Sequence, residues 1–391
     1  MNHDQRVLRT LFTFAGGTGH FLPLVPLARA AEQAGHRVAF GGQPGMLSVI
    51  EQAGFSGFDT AGRTLLAGSE RTPLLELDME REILAVREGY AGRTARERAA
   101  AVLQLCEAWR PDVLVCDEMD FGALVAAERA DVPYATVICI GSGSFVWPEL
   151  VTEPLNELRA THGLPPDPEL MMLRRYLVLA PFPPSFRDPA NPLPPTGHTI
   201  RPVLADAPAG EVEPAWLAEL TARPLVYFTL GTIFNLESGD LFERVLASLS
   251  ELPVSVVVTV GRELEPQALG PQPANVRVER YVPQSLLLPH CELVVSHAGS
   301  GSVVGALAHG LPMVLLPIGA DQPFNAARCR ELHVARVLDP FQATAADISN
   351  AVSSVLSDPS YRRSAQRLQA EIEASPGPEH AVGLLERLAA E

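Results

Sequence analysis

Twice in this chain an apolar run of strand length empties into a glycine-rich turn and then into a segment with helical spacing. The first run is residues 7–14. Gly16-Gly17-Thr18-Gly19 follows, and residues 23–35 carry apolar side chains at helical intervals and end in Gly35. The second run is Leu293-Val294-Val295-Ser296, followed by His297-Ala298-Gly299-Ser300-Gly301-Ser302. A strand that is apolar at nearly every position, rather than at alternate ones, is buried on both faces. Such strands need helices on each side, so these units predict parallel sheets built from βαβ crossovers.

The alternation recurs around both. Apolar runs at 37–40, 112–116 and 134–140 predict strands beside the first run. Runs at 225–230, 254–260, 276–279 and 313–317 predict strands beside the second. Helical spacing fills 240–252, 302–310, 358–374 and 379–390. Residues 141–202 are rich in proline and read as long loops with short helices. A chain of 391 residues is too long for one ordinary domain. The expectation is an α/β protein with two Rossmann-like parallel-sheet domains facing each other across a cleft. The first domain would be 1–202, with a linker at 203–220, a second domain at 221–375 and a terminal helix at 376–391.

Composition removes several function classes. The net charge is −16, and all 30 basic residues are arginine. Nucleic acid needs clustered cations, and an anionic membrane surface repels such a chain, so neither is expected as a partner. No apolar run is long enough for a membrane helix. Residues 11–30 imitate a signal peptide, ending in Ala28-Arg29-Ala30, but three glycines, His20, Pro23 and Pro26 interrupt them; a strand and glycine loop account for them better. The five cysteines are odd in number and form no CxxC, which fits a reducing cytoplasm. The sequence leaves a homodimer open.

The glycine turn at 297–302 lets backbone amides approach a ligand, and the following helix N-terminus makes it an anion site. Ser300, Ser302 and His297 add donors. The spacing Gly299-x-Gly301-x-x-x-Gly305 is not that of a dinucleotide fold, and the strand ending Phe40-Gly41-Gly42 offers no acid for a ribose. Asp321 lies past a strand end, placed to bond something polyhydroxylated. Gly231-Thr232 closes another strand and can donate to phosphate, while Tyr281 can stack on a base with the Val282 backbone pairing to its edge. In the first half, His20 starts the first helix and faces the crevice at the strand ends, and its ordinary pKa suits a general base. Asp117, the first polar residue after a buried strand, is the acid to orient it, with Asp120 as substitute; either could instead cap a helix. No Asp-x-Asp and no cluster of metal-ligand spacing occurs, so neither metal nor cofactor is expected.

Taken together and in order, these segments resemble the inverting glycosyltransferases of family one, with the GT-B fold, and especially bacterial enzymes that glycosylate macrolide, enediyne and other polyketide aglycones. The matching stretches are FTFAGGTGHFLPL (12–24), PDVLVCD (111–117), PLVYFTLGT (224–232), NVRVERYVPQ (275–284), and HAGSGS (297–302) running on to GADQPFNA (319–326). The resemblance implies His20 as base and Asp117 as its partner. It implies donor contacts from Gly17, Thr18, Gly231 and Thr232, from the diphosphate stretch His297, Gly299, Ser300, Gly301 and Ser302, from Tyr281, Val282 and Gln284 at the nucleobase, and from Asp321 and Gln322 at the sugar. It also implies a terminal helix that crosses back to the first domain. Tyrosine stands at 281 where the family often has tryptophan, and Ser296 precedes His297. The donor expected is a thymidine-diphosphate deoxysugar and the acceptor a hydrophobic aglycone against Met79, Phe145, Trp147 and Met172. Three rivals remain: a nucleotide-sugar epimerase of the same fold, a non-catalytic activator of a partner transferase, and an NAD enzyme.

Overall fold

The computed structural model describes residues 6–62, 71–143, 145–207, 210–220 and 222–391. Residues 208 and 209 of the expected linker, and 221 at the expected domain start, lie outside them. Two sheets form. The first contains β1 (Arg9–Thr13), β2 (Arg37–Gly42), β3 (Gly57–Asp59), β4 (Val113–Asp117), β5 (Tyr134–Val137), β6 (Leu177–Ala180) and β7 (Gly197–Thr199), in the order β3-β2-β1-β4-β5-β6-β7. The second contains β8 (Leu225–Thr229), β9 (Ser255–Thr259), β10 (Val276–Glu279), β11 (Leu293–Ser296), β12 (Met313–Leu315) and β13 (Ala335–Val337), in the order β10-β9-β8-β11-β12-β13. Every pairing is parallel; Phe12 lies against Val115, and Val295 against Phe228.

Each sheet is apolar through its thickness because helices cover both faces. On the first sheet, one face packs under Val102, Phe121, Leu124 and Leu155, and the other under Leu24, Leu27 and Ala31. The second sheet is covered by Val303, Leu307 and Leu368 on one side and by Phe242, Val245, Ile348 and Val352 on the other. The chain leaves the second domain after the helix Pro359–Ala374, and the Arg201 amide donates to the Pro376 carbonyl at 2.7 Å at the crossing. The helix Pro378–Leu388 then buries Ala381, Val382, Leu385 and Leu388 in the core of the first domain.

The strand order reverses twice, between β1 and β4 and between β8 and β11. Loops leaving adjacent strands diverge at such a point and open a crevice at the carboxyl edge. Each sheet therefore has one natural ligand crevice, and the two turn toward one another. Thr18 Oγ1 lies 3.0 Å from Thr232 Oγ1, and the Gly141 amide donates to Ser300 Oγ at 3.0 Å.

The stretch 141–202 departs from the loop expectation. It holds β6, β7 and a helix of 14 residues, Pro148–Thr161. Pro148 occupies the first turn of that helix, where no amide is missed, and Pro154 inside it breaks the sequence signal without breaking the helix. The edge strand β7 (sequence GHT) carries no apolar pattern at all. Among the described residues, no helix is long and apolar enough to cross a membrane.

Candidate active site

Asp117 is the last residue of β4 and is completely buried. Its Oδ2 accepts from the Ala15 amide at 2.6 Å, and its Oδ1 accepts from the Met119 amide at 2.7 Å and from His20 Nδ1 at 3.1 Å. A carboxylate can only accept, so Nδ1 carries the proton and Nε2 is left with its lone pair. Gly16 makes this possible, because a Cβ there would collide with the imidazole. Burial by itself lowers the His20 pKa; the Asp117 charge and hydrogen bond, helped by Asp321 and Glu118, turn the net shift upward. Asp120 is not the partner. It forms a two-pronged, fully buried pair with Arg98, at 2.8 and 2.6 Å, and caps the helix Phe121–Arg129.

Across the cleft, β11 runs into Gly299 and the helix Ser300–Ala308. A Cβ at Gly301 would meet nothing within 4 Å, so the first turn borders open space. The His297 ring is wedged between two glycines. A Cβ at Gly231 would lie 2.7 Å from its Cε1 and one at Gly299 would lie 2.5 Å from its Nε2. Burial pushes the His297 imidazole down to about 4, so it is neutral at physiological pH. Ser302 is buried in the same first turn.

Ser300 does something the glycine motif did not announce. Its hydroxyl donates to Asp321 Oδ2 at 2.7 Å, while Asn325 Nδ2 donates to the same oxygen at 2.7 Å and to Ser300 Oγ at 3.0 Å. The one hydroxyl proton of Ser300 is spent on Asp321, so Ser300 has no O–H left to donate elsewhere. Burial raises the Asp321 pKa against these hydrogen bonds and the nearby His20 charge. Gln322 is 1% exposed, and its Oε1 accepts the Ile318 and Gly319 amides at 2.7 and 3.1 Å, so it shapes the loop that presents Asp321. Tyr281 donates through Oη to the Asp206 carbonyl at 3.0 Å and carries the Arg262 guanidinium 4.7 Å above its ring. Val282 is a core residue, and the Gln284 amide donates to Asp206 Oδ2 at 2.5 Å.

One group of three metal-ligating side chains exists among the described residues: His20, Asp117 and Cys139. Its histidine and carboxylate are already bonded to each other, and burial pushes the Cys139 thiol well up, which keeps it protonated.

Comparison with known proteins accords with this geometry. Residues 243–388 match the family described as erythromycin biosynthesis protein CIII-like, C-terminal domain. The 4'-demethylrebeccamycin synthase of Lentzea aerocolonigenes is 30% identical, over 97% of this chain and 99% of that protein. The chain belongs to the GT-B glycosyltransferases of bacterial antibiotic biosynthesis. A second relative, the tylactone mycaminosyltransferase of Streptomyces fradiae, is 27% identical over 98% of this chain and 93% of its own length. Among solved structures, the spinosyn rhamnosyltransferase SpnG complexed with thymidine diphosphate superposes with a TM-score of 0.82 at 26% identity, covering 97% of this chain and all of that one (100%).

On the first-domain side of this glycosyltransferase, the Phe145 and Trp147 rings meet at 5.9 Å with their planes tilted by 52°, and both meet Phe324 of the second domain, at 6.4 and 5.6 Å. Met79 begins the helix Met79–Leu84 and is half-buried. Met172 corrects the acceptor set: it is wholly buried under Tyr134 and Arg159, a core residue rather than a lining one. Sequence reasoning did not single out Asn325, Asp206 or Glu118. Burial pushes the Glu118 carboxyl up to about 7, and its Oε1 takes the Cys139 and Ile140 amides at 2.7 and 2.6 Å. That grip aims the next amide, Gly141, at Ser300. The GADQPFNA stretch contained Asn325, but only the fold shows it reaching back to Ser300.

Proposed function

We propose that this glycosyltransferase transfers a deoxysugar from a thymidine-diphosphate donor to a hydroxyl of a hydrophobic aglycone, with inversion and without a metal ion. The observation that carries the reading is the His20–Asp117 pair, 3.1 Å apart, whose free Nε2 shares the cleft with Asp321. The acceptor O–H loses its proton to His20 Nε2 while its oxygen attacks the anomeric carbon from the face opposite the diphosphate. The imidazolium so formed is stabilised by Asp117. The bond from the anomeric carbon to the diphosphate breaks, and its electron pair leaves with the diphosphate. That charge is met by the first-turn amides of the helix Ser300–Ala308 and by neutral His297. Asp321 Oδ1 takes a sugar hydroxyl, since Oδ2 is held by Ser300 and Asn325.

Thymidine diphosphate is supported by two relatives, the TDP-daunosamine transferase DnrS of Streptomyces peucetius and the SpnG complex. The aglycone is supported by SpnG complexed with spinosyn aglycone, at 25% identity. The test is the anomeric configuration of the product by NMR, from a donor of known configuration and a polyketide acceptor. Inversion is expected, and retention would overturn the reading. Activity is expected to survive EDTA; loss restored by Mg²⁺ or Mn²⁺ would remove the metal-free part.

A further inference from the structure

Residues Met79–Leu84, Ala85–Thr94 and Ala95–Trp109 follow one another without a break, and the middle span is π-helical. Long π spans are rare and re-aim side chains that a regular helix would send elsewhere. Gly89 and Gly92 lower the helix propensity of this one. It carries Tyr90, whose ring stacks along the His20 imidazole with centroids 6.1 Å apart and planes 28° apart. Earlier on the same run, Glu82 reaches the other domain. Its Oε2 accepts the Ala320 amide at 3.2 Å, and its side chain is only 13% exposed. Ala320 has φ +50, in the left-handed region that a non-glycine residue occupies at a cost, and it is the residue before Asp321.

We propose that Tyr90 is a positioning residue for the base: its ring fixes the plane of the His20 imidazole, and Glu82 ties the same helix to the loop that presents Asp321. This rests on the reading of His20 as base and Asp321 as sugar contact. The helix then sets the distance between the two halves of the reaction centre, base on one side and donor sugar on the other. The His20 side chain is 20% exposed, and a ring that covers part of the imidazole from water also shifts its pKa. The groups facing His20 are Asp117, Glu118 and Cys139 from the first domain, Asp321 from the second, and Tyr90 itself. Of these, Tyr90 alone is aromatic, its plane 28° from that of the imidazole.

The test is the pH dependence of kcat/KM for transfer in Tyr90→Ala, Tyr90→Leu and Tyr90→Phe, with thymidine diphosphate affinity by calorimetry as the control for a folded second domain. Removing the ring exposes more of the imidazole to water and relieves part of the desolvation that lowers its pKa, so the acid limb is expected to move to higher pH. The plateau is expected to fall by about 10- to 100-fold, as for a misplaced catalytic group. Tyr90→Phe keeps the ring and is expected to restore the wild-type acid limb. In a His20→Ala background, Tyr90→Ala is expected to cost nothing further. Should Tyr90→Ala fail to fold, Tyr90→Leu gives the same reading. An acid limb unmoved in the ring-less variants, while His20→Ala is slow, would overturn the positioning role alone. Undiminished transfer by His20→Ala would overturn the base assignment on which it rests.

Discussion

Replacing Asp117 by asparagine puts a donor where the structure has only acceptors. In the native chain Oδ2 serves the Ala15 amide, and Oδ1 serves the Met119 amide and His20 Nδ1. An amide side chain can keep its oxygen toward Met119 and His20, at the loss of the Ala15 bond, or toward Ala15, at the loss of the Met119 bond, its NH₂ then donating to a His20 Nδ1 that has given up its proton. Either choice leaves one backbone N–H facing an NH₂ group in a fully buried site, which costs about 1–3 kcal/mol. For a domain of this size that is about 2–4 °C of Tm per kcal/mol. His20 loses the charge that stabilises its protonated form, and in the second arrangement the free Nε2 lone pair as well, so transfer is expected to slow by about 10²–10⁴. The pH profile separates this from damage. Burial lowers the His20 pKa and Asp117 raises it, so without the carboxylate burial prevails and the acid limb of kcat/KM moves to lower pH. The assay is product formation by mass spectrometry across pH at saturating donor, with Tm measured beside it. An acid limb that stays in place or rises would refute the reasoning.

Two further outcomes follow from the donor side. Asp321→Ala is expected to weaken the intact sugar nucleotide by about 10- to 100-fold while leaving free thymidine diphosphate nearly unaffected, as read by calorimetry, because only the sugar hydroxyl loses its partner; equal losses for both ligands would mean the pocket runs the other way. Gly299→Ala puts a Cβ 2.5 Å from His297 Nε2 and is expected to weaken both ligands together, since the ring it displaces is the one proposed to meet the diphosphate that both carry; unchanged binding of both would remove His297 from the site.

The two-domain architecture was legible because β4, β8 and β11 are apolar along nearly their whole length and the run that holds β1 is mostly so, a pattern that few folds other than covered parallel sheets produce. The switch points were not, since strand order depends on which crossover lies over which face. His20 could be picked out as the residue that follows the glycine turn at a helix start, and Asp117 as the first polar residue after an apolar run. The choice between Asp117 and Asp120 could not, because it turns on Arg98, distant in sequence and buried beside Asp120. Met172 read as a lining residue, as one of the Met and aromatic side chains scattered through the first half, yet Tyr134 and Arg159 bury it. The Ser300–Asp321–Asn325 network needed three segments brought together, and Tyr90 needed a π-helical span that no local pattern announced.

The central claim is that His20 takes the acceptor proton. Its most direct test is the single-turnover rate of His20→Ala with saturating thymidine-diphosphate sugar and an alcohol acceptor. The account expects a rate about 10²–10⁴ lower with thymidine diphosphate affinity unchanged; a rate within about threefold of wild type, at full occupancy, would contradict it.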